Sequence, residues 1–113
     1  MPSYMFSALL AAGLLGAANT VTAEDVVVVA AEKYAFVPAE ITIRPGTRVR
    51  WENRDRRQYH SVYFKELGDE PGDYFFPGES RERVFDTPGS YRYICEPHWK
   101  THGMTGIVHV IDQ

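Results

Sequence analysis

The stretch Tyr93 to Gly106 holds the only cysteine of the chain, Cys95, two of its four histidines, His98 and His102, and Met104, the only methionine beyond residue 5. A thiolate, an imidazole and a thioether gathered in one short loop form a soft, mixed sulfur and nitrogen donor set. That set suits copper, in a trigonal centre of two histidines and one cysteine with a weak axial methionine. The second histidine must come from elsewhere, and His60 is the donor at hand. Zinc also takes Cys and His, but structural zinc sites usually carry four strong ligands and more sulfur. A thioether favours copper, because Met is a poor zinc ligand and a good soft one.

Cys95 alone is ambiguous. Free cysteine is among the most buried residue types. In an exported chain a single thiol is a metal ligand, an intermolecular bridge or an inert core residue. Its surroundings favour the first. Cys95 ends a strand-like run, Pro97 stiffens the next turn, and His98 follows after a two-residue gap, a spacing common in metal loops because one tight turn brings both side chains to a point. His109, inside an apolar alternation, is expected to be a packed or surface histidine.

These donors need a rigid support. Val26 to Ala30 is a β-branched run that predicts a strand buried on both faces. Phe36 to Ala39 breaks it. Ile41-Thr42-Ile43 alternates as a half-buried strand does. Arg44-Pro45-Gly46-Thr47 is a turn. Arg48 to Glu52 alternates again and points Val49 and Trp51 inward. Asn53 to Arg57 is polar and exposed, and Tyr59 to Phe64 returns to strand residues. Between Lys65 and Ser80 no period holds, which predicts a long loop packed by Tyr74, Phe75 and Phe76. Arg81 to Phe85, Tyr91 to Cys95 and Gly106 to Ile111 are further strands. No amphipathic helix of useful length and no repeat is present. About seven short strands joined by turn signals imply an all-β sandwich, antiparallel or mixed.

At the N-terminus, Phe6 to Ala18 is an apolar run too short to span a bilayer as a helix. Small residues at Val21-Thr22-Ala23 precede the charged Glu24-Asp25. Residues 1–23 therefore read as a cleavable secretory signal peptide, although the first five residues carry no Lys or Arg. Residues 24–113 are then one small domain, placed in the periplasm. Its formal charge of −3 is neither a nucleic-acid balance nor a strongly acidic one.

The chain resembles the cupredoxin family, especially small plastocyanin-like and pseudoazurin-like proteins. Tyr34-x-Phe36-x-Pro38 with Ile41-x-Ile43 resembles that family's second strand. Pro45-Gly46-x-x-Val49-x-Trp51-x-Asn53 resembles the strand leading to its first histidine. Pro88-Gly89-x-Tyr91-x-Tyr93-x-Cys95-x-Pro97-His98 and Gly103-Met104-x-Gly106 resemble its C-terminal signature. The resemblance covers nearly all of residues 24–113. It implies a Greek-key sandwich, a single copper ion, equatorial ligands His60, Cys95 and His98, and an axial Met104. One difference is in the loop. Four residues separate the second histidine from the methionine in the plastocyanin-like pattern, but five do here, Trp99 to Gly103, and one of them is His102. His102 either competes for the metal or is a solvated loop histidine, and the second reading is preferred. By the same resemblance, Asn53 either pins the loop carrying His60 near the Cys95 sulfur or simply forms a turn.

A rigid sandwich with three firm ligands and one weak one suits one-electron transfer, since a site fixed between the preferences of Cu(I) and Cu(II) need reorganise little. No nucleophile paired with a base is present, no His-x-His pairs, and no second cysteine for a binuclear centre, so the chain does not read as an enzyme. By the same resemblance, the expected partners are cytochromes or oxidoreductases docked transiently on a monomer at an apolar patch around His98, with no nucleic acid and no membrane insertion after processing. Trp99 either lines that patch or packs the loop. Arg54, Arg56 and Arg57 either steer an acidic partner or form a solvated face. The alternative function is periplasmic copper binding for tolerance or delivery.

Overall fold

The computed structural model describes residues 25–112; the expected signal peptide, residues 1–23, lies outside the described residues. Nine strands follow one another: β1 (Val26–Glu32), β2 (Ala35–Val37), β3 (Glu40–Ile43), β4 (Thr47–Asn53), β5 (His60–Ser61), β6 (Tyr74–Phe75), β7 (Ser80–Phe85), β8 (Gly89–Ile94) and β9 (Thr105–Val110). A 3₁₀ turn spans Lys65–Leu67, and one α-helical turn among the described residues, α1, spans Trp99–His102.

The strands make a sandwich of two mixed sheets. One has the order β2-β1-β4-β7 and the other β3-β9-β8, with β5 and β6 as a separate short pair. β1 runs parallel to β4, and β9 parallel to β3; the other pairings are antiparallel. Tyr63 bridges Ile94 antiparallel, which lays the segment carrying His60 alongside β8.

β4 shows how the pattern becomes structure. Thr47, Val49, Trp51 and Asn53 are buried and the residues between them are not, the period of two expected where one face meets a core. Burying a Val or Phe side chain of this kind contributes about 1.5–3 kcal/mol. The core joins Val29, Phe36, Ile41, Val49, Trp51, Phe64, Phe85 and Val108 to Cys95 and Met104, so the chemical loop sits on the hydrophobic centre. Gly106 is needed for this. It pairs with Tyr93 across β8 and β9, and a Cβ added there would lie 2.3 Å from the Tyr93 ring. The absent side chain is where the aromatic ring lies.

Four expectations change. β1 is not buried on both faces: Val26 and Val28 are 42% and 37% exposed, since among the described residues only the opposite face of this end of the strand meets the core. Phe36 does not end the first strand; it belongs to β2, which folds back on β1 through a two-residue turn at Lys33-Tyr34. Of the run Tyr59 to Phe64, only His60–Ser61 is strand, since Phe64 turns into the core and Tyr63 makes a single bridge. In the long loop Phe75 alone is core, while Tyr74 and Phe76 remain exposed.

Candidate metal centre

β8 delivers Cys95 to the end of the sandwich, fully buried. His60, on β5, is also fully buried, and His98 is 8% exposed. One donor atom from each of the three lies within 4.8 Å of the other two. The Cys95 sulfur stands 3.6 Å from His60 Nδ1 and 3.5 Å from His98 Nδ1. The positions are fixed by the backbone: Tyr63 and Ile94 exchange hydrogen bonds of 2.9 and 3.1 Å, which sets His60 against Cys95. The tight turn after Cys95 is closed by the His98 and Trp99 N–H groups, both donating to the Cys95 carbonyl.

Met104 returns beside this cluster. The five residues between His98 and Met104 are taken up largely by α1. The His102 N–H donates to the His98 carbonyl, and Gly103, at φ 65°, closes the turn by donating to the Trp99 carbonyl. The Cys95 N–H then donates to the Met104 carbonyl at 3.0 Å, and the Met104 side chain is buried in the core. His102 is outside the cluster. Its ring stacks on Tyr34 at 3.7 Å with 6° between planes, and its Nδ1 meets the Thr101 hydroxyl at 2.8 Å. It is therefore an exposed loop histidine, as preferred, with one ring face laid on Tyr34. His109 lies on the sheet surface, bridging Ser90 and Glu40 across β8, β9 and β3, as a surface histidine should.

Two supporting residues were not legible in the sequence. Asp55, in the polar run taken as exposed, places Oδ2 2.6 Å from His60 Nε2. With Nε2–H donating to the Asp55 carboxyl oxygen, the Nδ1 lone pair is left facing the sulfur. Asp55 is itself fixed by the Lys33 N–H at Oδ1, while its own N–H donates to Asn53 Oδ1. The second residue is Ser61: its N–H points at the Cys95 sulfur at 3.4 Å and its hydroxyl accepts the Glu96 N–H. Asn53 does pin the His60 loop, donating to the Gln58 and Phe75 carbonyls, but it is Ser61 that meets the sulfur.

The electrostatics suit a cation. Burial pushes the Cys95 thiol up to about 11, offset in part by the Ser61 and His98 N–H groups. Burial likewise holds His98 below the ordinary imidazole range, helped by the nearby His60 and His102. Without metal the thiol thus keeps its proton and the charged form of His98 is disfavoured; a soft cation would displace the thiol proton and meet the donor atoms turned toward it. The donor chemistry fits copper.

Around the centre Tyr59, Tyr74 and Phe76 form an exposed aromatic group, with the Tyr59 ring 5.1 Å from Tyr74, 5.7 Å from Phe76 and 6.4 Å from His98. Trp99 is 41% exposed, with the Lys100 ammonium over its ring. Arg54 pairs with Glu52 at 2.9 Å.

A buried Cys-His-His cluster at the end of a mixed β-sandwich defines the cupredoxin class. Residues 23–111 match the family of copper binding proteins described as plastocyanin/azurin. The chain belongs to this family. It is 33% identical over 115 residues to amicyanin of Paracoccus versutus, covering 86% of each chain. It is 40% identical over 83 residues to the chloroplastic plastocyanin of Tetradesmus obliquus, a match that spans 65% of this chain and 56% of that protein. The crystal structure of the Paracoccus versutus amicyanin superposes with a TM-score of 0.67 over 80% of this chain and 85% of that one. A proline-to-glycine mutant of amicyanin, solved in its reduced Cu(I) form, is 29% identical with the same score, covering 80% of this chain and 86% of that one.

Proposed function

We propose that the protein is an exported type 1 copper carrier that passes single electrons between redox proteins. In this reading residues 1–23 direct export to the periplasm and 24–113 are the working domain. His60, Cys95 and His98 would hold one copper ion, with Met104 as the weak axial donor. Bound copper would supply a one-electron couple between Cu(I) and Cu(II). The observation that carries the reading is the convergence of both Nδ1 atoms on one buried sulfur, at 3.5 and 3.6 Å.

The chain's own contribution is to hold these groups still. Asp55 fixes His60 from behind, Ser61 fixes the sulfur, and the core below Met104 excludes water. Donors so constrained move little when the charge of the centre changes. His98 is the member of the set nearest solvent, so its ring edge is the exit for the electron. Tyr59, Phe76 and Trp99 are exposed rings on which a cytochrome or oxidoreductase would rest in a brief encounter.

The test is an optical and paramagnetic resonance spectrum of the copper-loaded domain, followed by stopped-flow mixing with a reduced c-type cytochrome. An intense visible sulfur-to-copper band, lost in Cys95→Ser, with rapid oxidation of the cytochrome is expected. A colourless protein that holds Cu(I) and exchanges no electrons would overturn the proposal in favour of copper storage.

A further inference from the structure

The two imidazoles of the centre differ in what holds them. His60 is hydrogen-bonded at its far nitrogen; the His98 side chain, among the described residues, makes no hydrogen bond apart from its approach to the Cys95 sulfur. Its neighbours are rings. Tyr34 meets it edge-on with centroids 4.9 Å apart and planes at 76°, His60 lies at 5.1 Å and Tyr59 at 6.4 Å. Tyr34 is itself backed by the parallel face of His102. We propose that Tyr34, braced by His102, is a positioning residue that sets the ring plane of His98. The inference rests on His98 being a ligand of the proposed centre.

The backbone supports a role for this ring beyond filling space. Lys33 and Tyr34 are both in the left-handed region, φ 54° and 60°, and join β1 to β2 as a two-residue hairpin turn. Such turns ordinarily use Asn and Gly, which enter that region at little cost, whereas a bulky aromatic there is an outlier. The sequence keeps the strained residue where an unstrained pair would make the same turn. What the tyrosine gains in that conformation is contact with both histidines of the ligand loop. His102 cannot slide away, because α1 ties its backbone to the His98 carbonyl and Thr101 holds its Nδ1. Turn, Tyr34, His102 and His98 thus form a closed loop of contacts across the chain.

The test has two arms. In the metal-free protein, nuclear magnetic relaxation of the His98 ring should show a fixed imidazole, and Tyr34→Ala should set it moving while Tyr34→Phe does not. In the Cu(I) protein, transfer to excess bicinchoninic acid should quicken roughly two- to tenfold in Tyr34→Ala, the range a lost ring pair gives. His102→Ala should do the same, and the double variant should be no faster than either single one, because both remove one clamp. A Lys33→Asn/Tyr34→Gly variant separates the ring from the turn: its backbone is relaxed, yet it should release copper as fast as Tyr34→Ala. Release from that variant at the wild-type rate would show that Tyr34 serves only the turn, and fully additive single variants would break the brace; either overturns the proposal. Mobility gained on Tyr34→Ala in a protein that takes no copper would uphold the clamp and sink the copper reading.

Discussion

His60 and His98 present the same atom, Nδ1, to the same sulfur at nearly the same distance, yet they are secured by opposite means. His60 is buried in a strand and tethered at Nε2 by a carboxylate, a directional bond of the charge-assisted kind. His98 stands just before the α1 turn at the rim, held by the faces and edges of aromatic rings. The difference follows from position. A hydrogen-bond acceptor behind His98 would have to sit in solvent, on the side that the proposed function leaves open to a partner. Ring packing constrains an imidazole without covering its edge.

That contrast can be broken at either end. The largest effect is expected from Asp55→Ala, which frees the His60 tautomer. Copper affinity should fall by about 10- to 100-fold, the usual consequence of removing the partner behind a ligating histidine, measured by competition with a chromophoric chelator. The next falls on the strand that delivers Cys95. Gly106→Ala drives a methyl into the Tyr93 ring, and urea unfolding of the metal-free domain should show a loss of about 1–3 kcal/mol, with the rings around His98 left in place.

The sulfur faced by both imidazoles gives a pH effect of defined sign. Folding raises the Cys95 thiol from 9.0 to about 11. Between those values the unfolded chain sheds its proton first, so the metal-free domain loses stability as pH rises from about 9 to about 11. The loss should be no more than roughly 2–3 kcal/mol. The same scan on Cys95→Ala should lack this component, leaving the later one due to Tyr93, which burial lifts to about 12. The smallest effect is expected from Tyr59→Ala. Its ring is the farthest of the three from His98, so copper release should change by less than about threefold, the low end for a ring contact.

Much of this was legible beforehand because it is local. The gap between Cys95 and His98, the alternation of β4 and the Pro-Gly turns each follow from a few adjacent residues. The contacts that tune the centre are not local. Asp55 carries no mark distinguishing it from the charged residues around it; only the fold of the loop pinned by Asn53 brings it behind His60. Tyr34 could be read as a strand residue, yet its work depends on a left-handed turn that its own type disfavours. α1 escaped notice because four residues are too few to show a helical period. His102 was visible, but whether it would face metal, water or another ring was decided by a turn some seventy residues away in sequence.

Coiling has a consequence for how far the ligand loop reaches. Residues wound into a helix advance about 1.5 Å each, less than half of what extended chain covers. Each residue wound into α1 therefore adds less to the separation between His98 and Met104 than it would in extended chain. The length of the fifth residue is taken up by winding, the outer face of the turn carries Trp99 and Lys100, and the Cys95 N–H still reaches the Met104 carbonyl.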